Sequence, residues 1–314
     1  NMRVLVTGGA GFIGSAIARA YLARGASVTI VDNLATGRRE WVPEGAQFHR
    51  LDIGDPALER VFGEEGSFDV VSHHAALKDV RKAMIDPRPD AEANILGTLN
   101  VLRCAADHDA GRFVFASSAA IYGDAALPTS EDAPMAPISP YGISKAACER
   151  YAAYFAHNRG LPAVALRYSC VYGPAAAEES EAGVITIFAR RMLQGRRPVM
   201  YGNGEQTRDF VFVDDVVRAN LVAADAAPRP WAAYNVSSGI ETSLNSLYAA
   251  LGREAGYAEL PERADRRPGE ILRNVQDASL IRRELGWTPE VELRTGLARV
   301  VEAYRAELLV AAAR

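Results

Sequence analysis

Cysteine is scarce in this 314-residue chain: Cys104, Cys148 and Cys170 are far apart and odd in number. Without metal-ligand spacing, they argue against a disulfide framework and against a zinc cluster. No apolar run approaches the roughly 20 residues of a helical membrane span. The longest, such as Val28 to Val31 and Phe113 to Ala116, have strand length. An excess of one charge is missing too. The 35 Lys and Arg are interspersed with 39 Asp and Glu, which speaks against nucleic acid as a partner. Nothing repeats at a fixed period, and no low-complexity linker divides the chain. The opening Asn1-Met2-Arg3 leads straight into an apolar strand pattern, without the features of a secretory leader. Together these absences set the expectation of a reducing cytoplasm and no membrane segment.

What is present is a 49% hydrophobic chain, long enough for a full core. Arg3 to Thr7 reads as a strand, followed by Gly-Gly-Ala-Gly-Phe-Ile-Gly and an Ala-rich helical pattern from Ile13 to Arg24, closed by Gly25. The alternation recurs with strands at Ser27 to Val31, Gln47 to Leu51, Phe68 to His73, Arg112 to Ala116 and Ala163 to Arg167. Alternating β and α units imply an α/β fold, a doubly wound parallel sheet with helices on both faces. After Gly173-Pro174 the rhythm loosens into a helix near Ile185 to Gln194, short strands around Val199 and Phe210, and scattered helices. We read residues 1–173 as one nucleotide-binding domain and 174–314 mainly as a smaller mixed α/β lobe, with later elements partly returning to the first. A cleft is expected at the carboxyl ends of the strands.

Gly8, Gly9, Gly11 and Gly14 follow a strand and open a helix, in the Gly-x-Gly-x-x-Gly arrangement and a wider-spaced variant. Such glycines allow a sharp turn and close approach to a pyrophosphate, whose charge meets free N–H groups and the helix dipole. Asp32, 18 positions after Gly14 at the end of the second strand, suits a ribose 2′-hydroxyl and would repel a 2′-phosphate. NAD is therefore favoured over NADP, slightly weakened by Arg38 and Arg39 in the following loop. Asp52-Ile53, ending the third strand, either meets an adenine ring or is an ordinary loop.

Tyr141-Gly142-Ile143-Ser144-Lys145 sets a phenol and an ammonium four residues apart behind Pro140, on one face of a helix. A phenol near its ordinary pKa of about 10 is a poor base at neutral pH. A Lys145 cation and an oxidised nicotinamide are both expected to favour the phenolate. Phe113 to Ser118 ends a strand on Ser117 and Ser118, able to orient a substrate hydroxyl beside that phenol.

These stretches together resemble the extended short-chain dehydrogenase/reductase family of Rossmann fold, and within it the bacterial UDP-glucose 4-epimerases. The resemblance spans nearly the whole chain. It is carried by Val6 to Gly14, His74-Ala75-Ala76, Asn94-Ile95-Leu96-Gly97-Thr98, Ser117 to Gly123, Tyr141 to Lys145, and Gly204 to Phe210. It implies Tyr141 as base, Lys145 lowering its pKa and holding the nicotinamide ribose, and Ser118 on the reacting oxygen. It implies cofactor contacts at Gly8, Gly11, Phe12, Ile13, Gly14, Asp32, Asn33, Asp52, Ile53, Ala75, Ala76, Lys78, Asn94, Ser117 and Tyr168.

The resemblance also bears on the reaction. Related 4,6-dehydratases carry an Asp-Glu pair, and UDP-glucuronate decarboxylases a glutamate, where this chain has Ala119 and Ala120. What remains is oxidation of a UDP-sugar at C4 and re-reduction on the other face. Lys78, Ser118 and Ala119 would line the sugar, Arg208 and Arg267 the diphosphate, and Val184, Phe188 and Tyr201 the uracil. Phe188 is equally open to plain core packing, and each arginine to an ion pair. Cys170 stands where UDP-glucose epimerases have Asn in Arg-Tyr-x-Asn-x-Tyr-Gly. A small residue there fits UDP-glucuronate, with Lys78, Arg81 or Arg191 as counter-charge, or is simply a tolerated hydrophobe.

His73 and His74 lack a third ligand at metal spacing and read as structural. Asp214-Asp215 precedes the helical run Val216 to Ala224 and reads as a helix cap. The apolar faces of Ile95 to Cys104 and Ala146 to Phe155 either pack internally or meet a second subunit, since the family's dimers imply a homodimer.

Overall fold

The β-branched run Arg3–Thr7 forms β1, followed by β2 (Ser27–Asp32), β3 (Gln47–Arg50), β4 (Val70–His73), β5 (Phe113–Ser118) and β6 (Ala163–Tyr168). The computed structural model describes residues 1–174, 183–227, 229–266 and 270–312. Phe68 falls outside β4, because Asp69 turns its carboxylate to the N–H of Arg3 at 2.7 Å. β5 runs to Ser118, ending on the two serines as the Phe113 to Ser118 stretch predicts. The intervening helices are α1 (Phe12–Ala23), α2 (Leu58–Glu65), α3 (Val80–Ile85), α4 (Arg88–Asp90), α5 (Gly97–Asp107) and α6 (Pro140–Asn158), with a π-helical turn at Ala91–Leu96. The later elements are β7 (Cys170–Tyr172), α7 (Val184–Leu193), β8 (Val199–Tyr201), β9 (Thr207–Phe212), α8 (Val213–Asp225) and β10 (Trp231–Val236). After them come β11 (Glu241–Ser243), α9 (Leu244–Ala255), β12 (Glu262–Ala264), α10 (Ser279–Leu285) and α11 (Leu293–Ala312).

The main sheet has seven strands in the order β10-β6-β5-β4-β1-β2-β3, all paired in parallel. β1 lies between β2 and β4, so the winding reverses there and a crevice opens beyond the strands' carboxyl ends. Strand alternation splits the core. Val4 and Val6 pack with Ile17, Tyr21 and Val216 on one face, and Leu5 packs with Phe62, Val101 and Phe113 on the other. Each such side chain contributes about 1.5–3 kcal/mol when fully buried. β11-β9-β7 and β12-β8 form two small sheets of the C-terminal lobe, over a core that includes Tyr172, Phe188, Phe212, Leu247 and Leu297. No helix among the described residues is long and apolar enough to cross a membrane.

Asp214 and Asp215 lie in the first turn of α8, where their charge suits the helix N-terminus, but neither side chain caps it. Asp215 is instead a staple. It accepts the N–H groups of Glu290 and Val291, both at 3.1 Å, and pairs with Arg218. Three hydrogen-bond donors from outside the turn outcompete the helix's own amides for one buried carboxylate.

Candidate active site

The glycine turn from β1 into α1 is fixed by backbone crowding. A Cβ on Gly14 would lie 2.1 Å from the Gly8 carbonyl oxygen, and one on Gly8, whose φ is +69°, would lie 2.6 Å from the Ala75 nitrogen. Only glycine closes this turn against both α1 and the loop after β4. The result is a concave run of backbone at a helix N-terminus, which fits a pyrophosphate. The side chains of Phe12 and Ile13 do not face it. Phe12 packs on the C-terminal lobe and Ile13 on the core beneath, leaving their backbone at the turn.

Asp32 braces the same turn, with Oδ2 accepting the Ala10 N–H at 3.0 Å and Oδ1 the Leu34 N–H at 2.8 Å. Arg38 and Arg39 are engaged elsewhere. Their guanidinium groups lie over Trp41 and Phe48, at 5.6 and 4.6 Å from the ring centroids. The small case they made for a 2′-phosphate therefore weakens. Asn33 and Asp52 meet directly, Nδ2 donating to Oδ2 at 2.7 Å, and Ile53 is buried against Gly97.

Beyond β4, Ala75, Ala76 and Lys78 share one loop, with Lys78 exposed. Thr7 Oγ1 accepts the N–H groups of His74 and Ala75 at 3.2 and 3.3 Å. Asn94, on the π turn, takes the Leu77 N–H on Oδ1 and donates to the Leu77 carbonyl, both at 2.8 Å. His73 is structural. One ring nitrogen bonds Thr7 at 2.6 Å and the other Thr98 at 2.8 Å, so both are spent.

α6 starts where Ser139 Oγ accepts the Gly142 N–H at 3.1 Å and Pro140 takes the first helical position. Tyr141 and Lys145 then stand one turn apart. Lys145 is 4% exposed, and its ammonium donates to the Ala116 carbonyl at 2.7 Å, 5.7 Å from the Tyr141 ring centroid. Burial lowers its pKa to about 8, against the opposing pull of Cys148, Asp90 and Glu149. The phenol on its own is shifted upward. Burial pushes Tyr141 up to about 12, a hydrogen bond with Ser118 opposes this, and Asp90 and Cys148 add to it. Desolvation of the phenolate is the largest cause of this rise. Ser118 also accepts the Ala120 N–H at 3.1 Å, capping a short 3-10 turn at Ala119–Tyr122.

Strand alternation turns the neighbouring Ser117 away from this group. Its hydroxyl donates to Glu149 at 2.6 Å, so only its backbone remains for a cofactor. Tyr168, opposite Ser118 in the β5–β6 register, also has its ring in the core. It stacks on His74 at 6.4 Å and accepts the Asn220 amide at 2.8 Å.

In the C-terminal lobe, Cys170, Val184 and Tyr201 are part-buried. Phe188 is buried edge-on against Tyr248 at 5.5 Å, which favours the core-packing reading for it. Arg208 is engaged by the carboxylate of Glu270 at 2.9 Å and by the carbonyls of Thr207 and Ile271. It lies near enough to Cys170 to oppose the burial that raises that thiol's pKa. Arg267 lies outside the described residues. Sequence reasoning missed Asp90, Glu149 and Asp209, which hold the site together. Asp209 accepts from the N–H groups of Ser238, Gly239 and Gln276 and from the Ser238 hydroxyl, tying two segments to β9 beside Arg208. Glu149 stands four residues past Lys145, and Asp90 four before Asn94; this helical spacing was the available signal.

Residues 4–237 match the NAD-dependent epimerase/dehydratase family. The chain is 37% identical over 311 residues to a UDP-glucose 4-epimerase of Mycolicibacterium smegmatis, covering 97% of this chain and 99% of that one. Its fold is similar to that of a Thermotoga maritima UDP-glucose 4-epimerase with UDP-glucose, at TM-score 0.94, 39% identity and coverage of 98% and 100%. It is similar also to a Thermus thermophilus UDP-glucose 4-epimerase in complex with NAD, at TM-score 0.90, 40% identity and coverage of 97% and 99%.

Proposed function

Because the chain belongs to the NAD-dependent epimerase/dehydratase family, we propose that it is a UDP-sugar 4-epimerase, inverting C4 through a transient 4-keto sugar. The observation that carries this reading is the pairing of Ser118, at the carboxyl end of β5, with Tyr141 and Lys145 of α6, and with Ala119 and Ala120 beside them. The first three form an acid–base set for one carbinol. The two alanines offer no second acid or base for eliminating water or carbon dioxide from the ketone. The glycine turn, Asp32, Asn33, Asp52 and the Ala75–Lys78 loop are the residues that would hold NAD. When bound, NAD supplies reversible two-electron oxidation of the carbinol and a positive charge.

Within the protein, Tyr141 moves the proton of the C4 hydroxyl and Ser118 orients that oxygen. At a pKa of about 12 the phenol stays protonated near neutrality until positive charge favours its anion. Lys145 contributes part of that charge and is anchored for it by Ala116. Arg208 grips the diphosphate in exchange for Glu270, its guanidinium suiting either anion.

The sugar is a UDP-hexose, UDP-glucose or UDP-galactose. UDP-glucuronate is the second reading, favoured by the small Cys170. The protein is expected in the cytoplasm, in keeping with three free cysteines, and as a homodimer. Leu96, Ile143, Tyr151 and Tyr154 are exposed on the π turn and α6, while Val101, Leu102 and Cys104 of α5 pack inward. This moves the expected dimer face toward α6 and supports a second copy covering it.

Incubation with UDP-glucose, UDP-N-acetylglucosamine and UDP-glucuronate in parallel, without added NAD, tests the reading through separation of the products. C4 epimers are expected from at least one. Net consumption of added NAD, with no epimer formed, would overturn it.

A further inference from the structure

Asp90 closes α4 and enters the π turn, and it is 4% exposed although it carries a carboxylate. Burying such a charge is costly unless hydrogen bonds meet it. Its two oxygens are met from different directions. Oδ1 accepts the hydroxyl of Ser144, which directly precedes Lys145 on α6. Oδ2 accepts the Asn94 amide at 2.9 Å. Both partners are neutral.

The π turn explains how one carboxylate reaches both. Its wider winding, common at functional sites, sets Asn94 to grip both backbone groups of Leu77, next to Lys78. The Asn94 carbonyl accepts the Cys148 thiol of α6 at 3.1 Å. α6 is therefore fastened to the π turn at Ser144 and Cys148, and the π turn to the loop after β4 at Leu77.

Resting on the epimerase reading, we propose that Asp90 is a positioning residue: through Ser144 and Asn94 it holds the Tyr141–Lys145 turn in register with the Leu77–Lys78 loop. Its negative charge also sustains the protonated form of both Tyr141 and Lys145. The other groups facing this cluster are Cys148 and Glu149 of α6, His73 of β4 and His74 just after it, Thr98 of α5 and Tyr168 of β6. A group that only packed two helices would leave the proton equilibria of Tyr141 and Lys145 unmoved.

Three variants separate the roles. Asp90→Ala removes charge and hydrogen bonds, Asp90→Asn keeps the shape without the charge, and Ser144→Ala cuts only the tie to α6. Asp90→Ala is expected to lower kcat about 10- to 100-fold, as misplacement of a catalytic turn does, with KM changed less than about threefold. Amide exchange at Leu77 is expected to quicken about tenfold, and NAD retention through gel filtration to fall. Asp90→Asn is expected to move the acid limb of the kcat pH profile to lower pH, because the phenol loses a nearby negative charge. Unchanged kcat, pH profile and Leu77 exchange in the Asp90 variants would overturn the proposal. If Asp90→Ala does not fold, Asp90→Asn and Ser144→Ala decide by the same readouts. If the wild-type protein epimerises no UDP-sugar, the epimerase reading falls separately, and Leu77 exchange and NAD retention still judge Asp90.

Discussion

Arg167 grips Glu149 with three hydrogen bonds, Nε to Oε1 at 3.0 Å and to Oε2 at 3.3 Å and Nη2 to Oε2 at 2.8 Å, between side chains 7% and 0% exposed. The same carboxylate takes the hydroxyl of Ser117, so the strand ending at Ser118 and the helix bearing Lys145 share one buried anion. Removing one partner strands the other, at a cost of about 3–5 kcal/mol. Glu149→Leu and Arg167→Met are each expected to cost that much, and the double variant far less than their sum, by urea unfolding in a double-mutant cycle. Additive losses would contradict the pairing.

Tyr141→Phe deletes one hydroxyl and leaves the Lys145–Ala116 hydrogen bond in place. Turnover is expected to fall by about 100- to 10,000-fold, the usual contribution of a positioned acid–base group. The melting temperature and NAD content should change little. Full turnover in this variant is incompatible with Tyr141 as the proton carrier.

Lys145 gives stability a pH dependence of definite sign. Burial holds its pKa at about 8, below the ordinary 10.5, so between these values the unfolded chain binds the extra proton and stability rises with pH. Below that window the cost is constant, roughly 3 kcal/mol at about 1.4 kcal/mol per pH unit. Tyr141 acts in the opposite sense. Its pKa of about 12 makes the folded state hold a proton that the unfolded state releases above 10, so stability falls from there upward. Urea melts across the lower window are expected to show the rise in the wild type and a flatter curve in Lys145→Met. Equal slopes would refute the assignment.

Gly14→Ala places a methyl group 2.1 Å from the Gly8 carbonyl oxygen, and neither backbone can yield without opening the turn. NAD retention is expected to be lost, with a stability loss of about 1–3 kcal/mol, the usual cost of overpacking. Calorimetry and the absorbance of bound nucleotide check both. A variant that retains NAD as the wild type does would show that the turn is not the pyrophosphate cradle.

The sequence carried the local parts of this architecture well, because each has its own period or spacing. The β1 run, the glycine turn, Asp32 and the four-residue Tyr141–Lys145 interval are all contained within short windows. What escaped it was partnership across the chain. Ser117 sits beside Ser118 in sequence, yet strand alternation sends it to Glu149, 32 residues away. Asp215 looks like a helix cap until residues 290 and 291 arrive to claim it. The raised pKa of Tyr141 was equally hidden, since a motif displays the nearby Lys145 and not the burial of the phenol.

β10 lies beside β6 in the central sheet, although β7, α7, β8, β9 and α8 intervene along the chain. The two lobes are therefore interleaved rather than joined end to end. Exchanging the C-terminal lobe between relatives with one cut near residue 173 would import a foreign strand onto β6 together with the foreign pocket. A working hybrid requires a seam at every crossing, because the chain re-enters the lobe after β10, at β11 against β9 and at β12 against β8. The lobe is drawn from chain on both sides of β10, so its two halves are free to diverge only together.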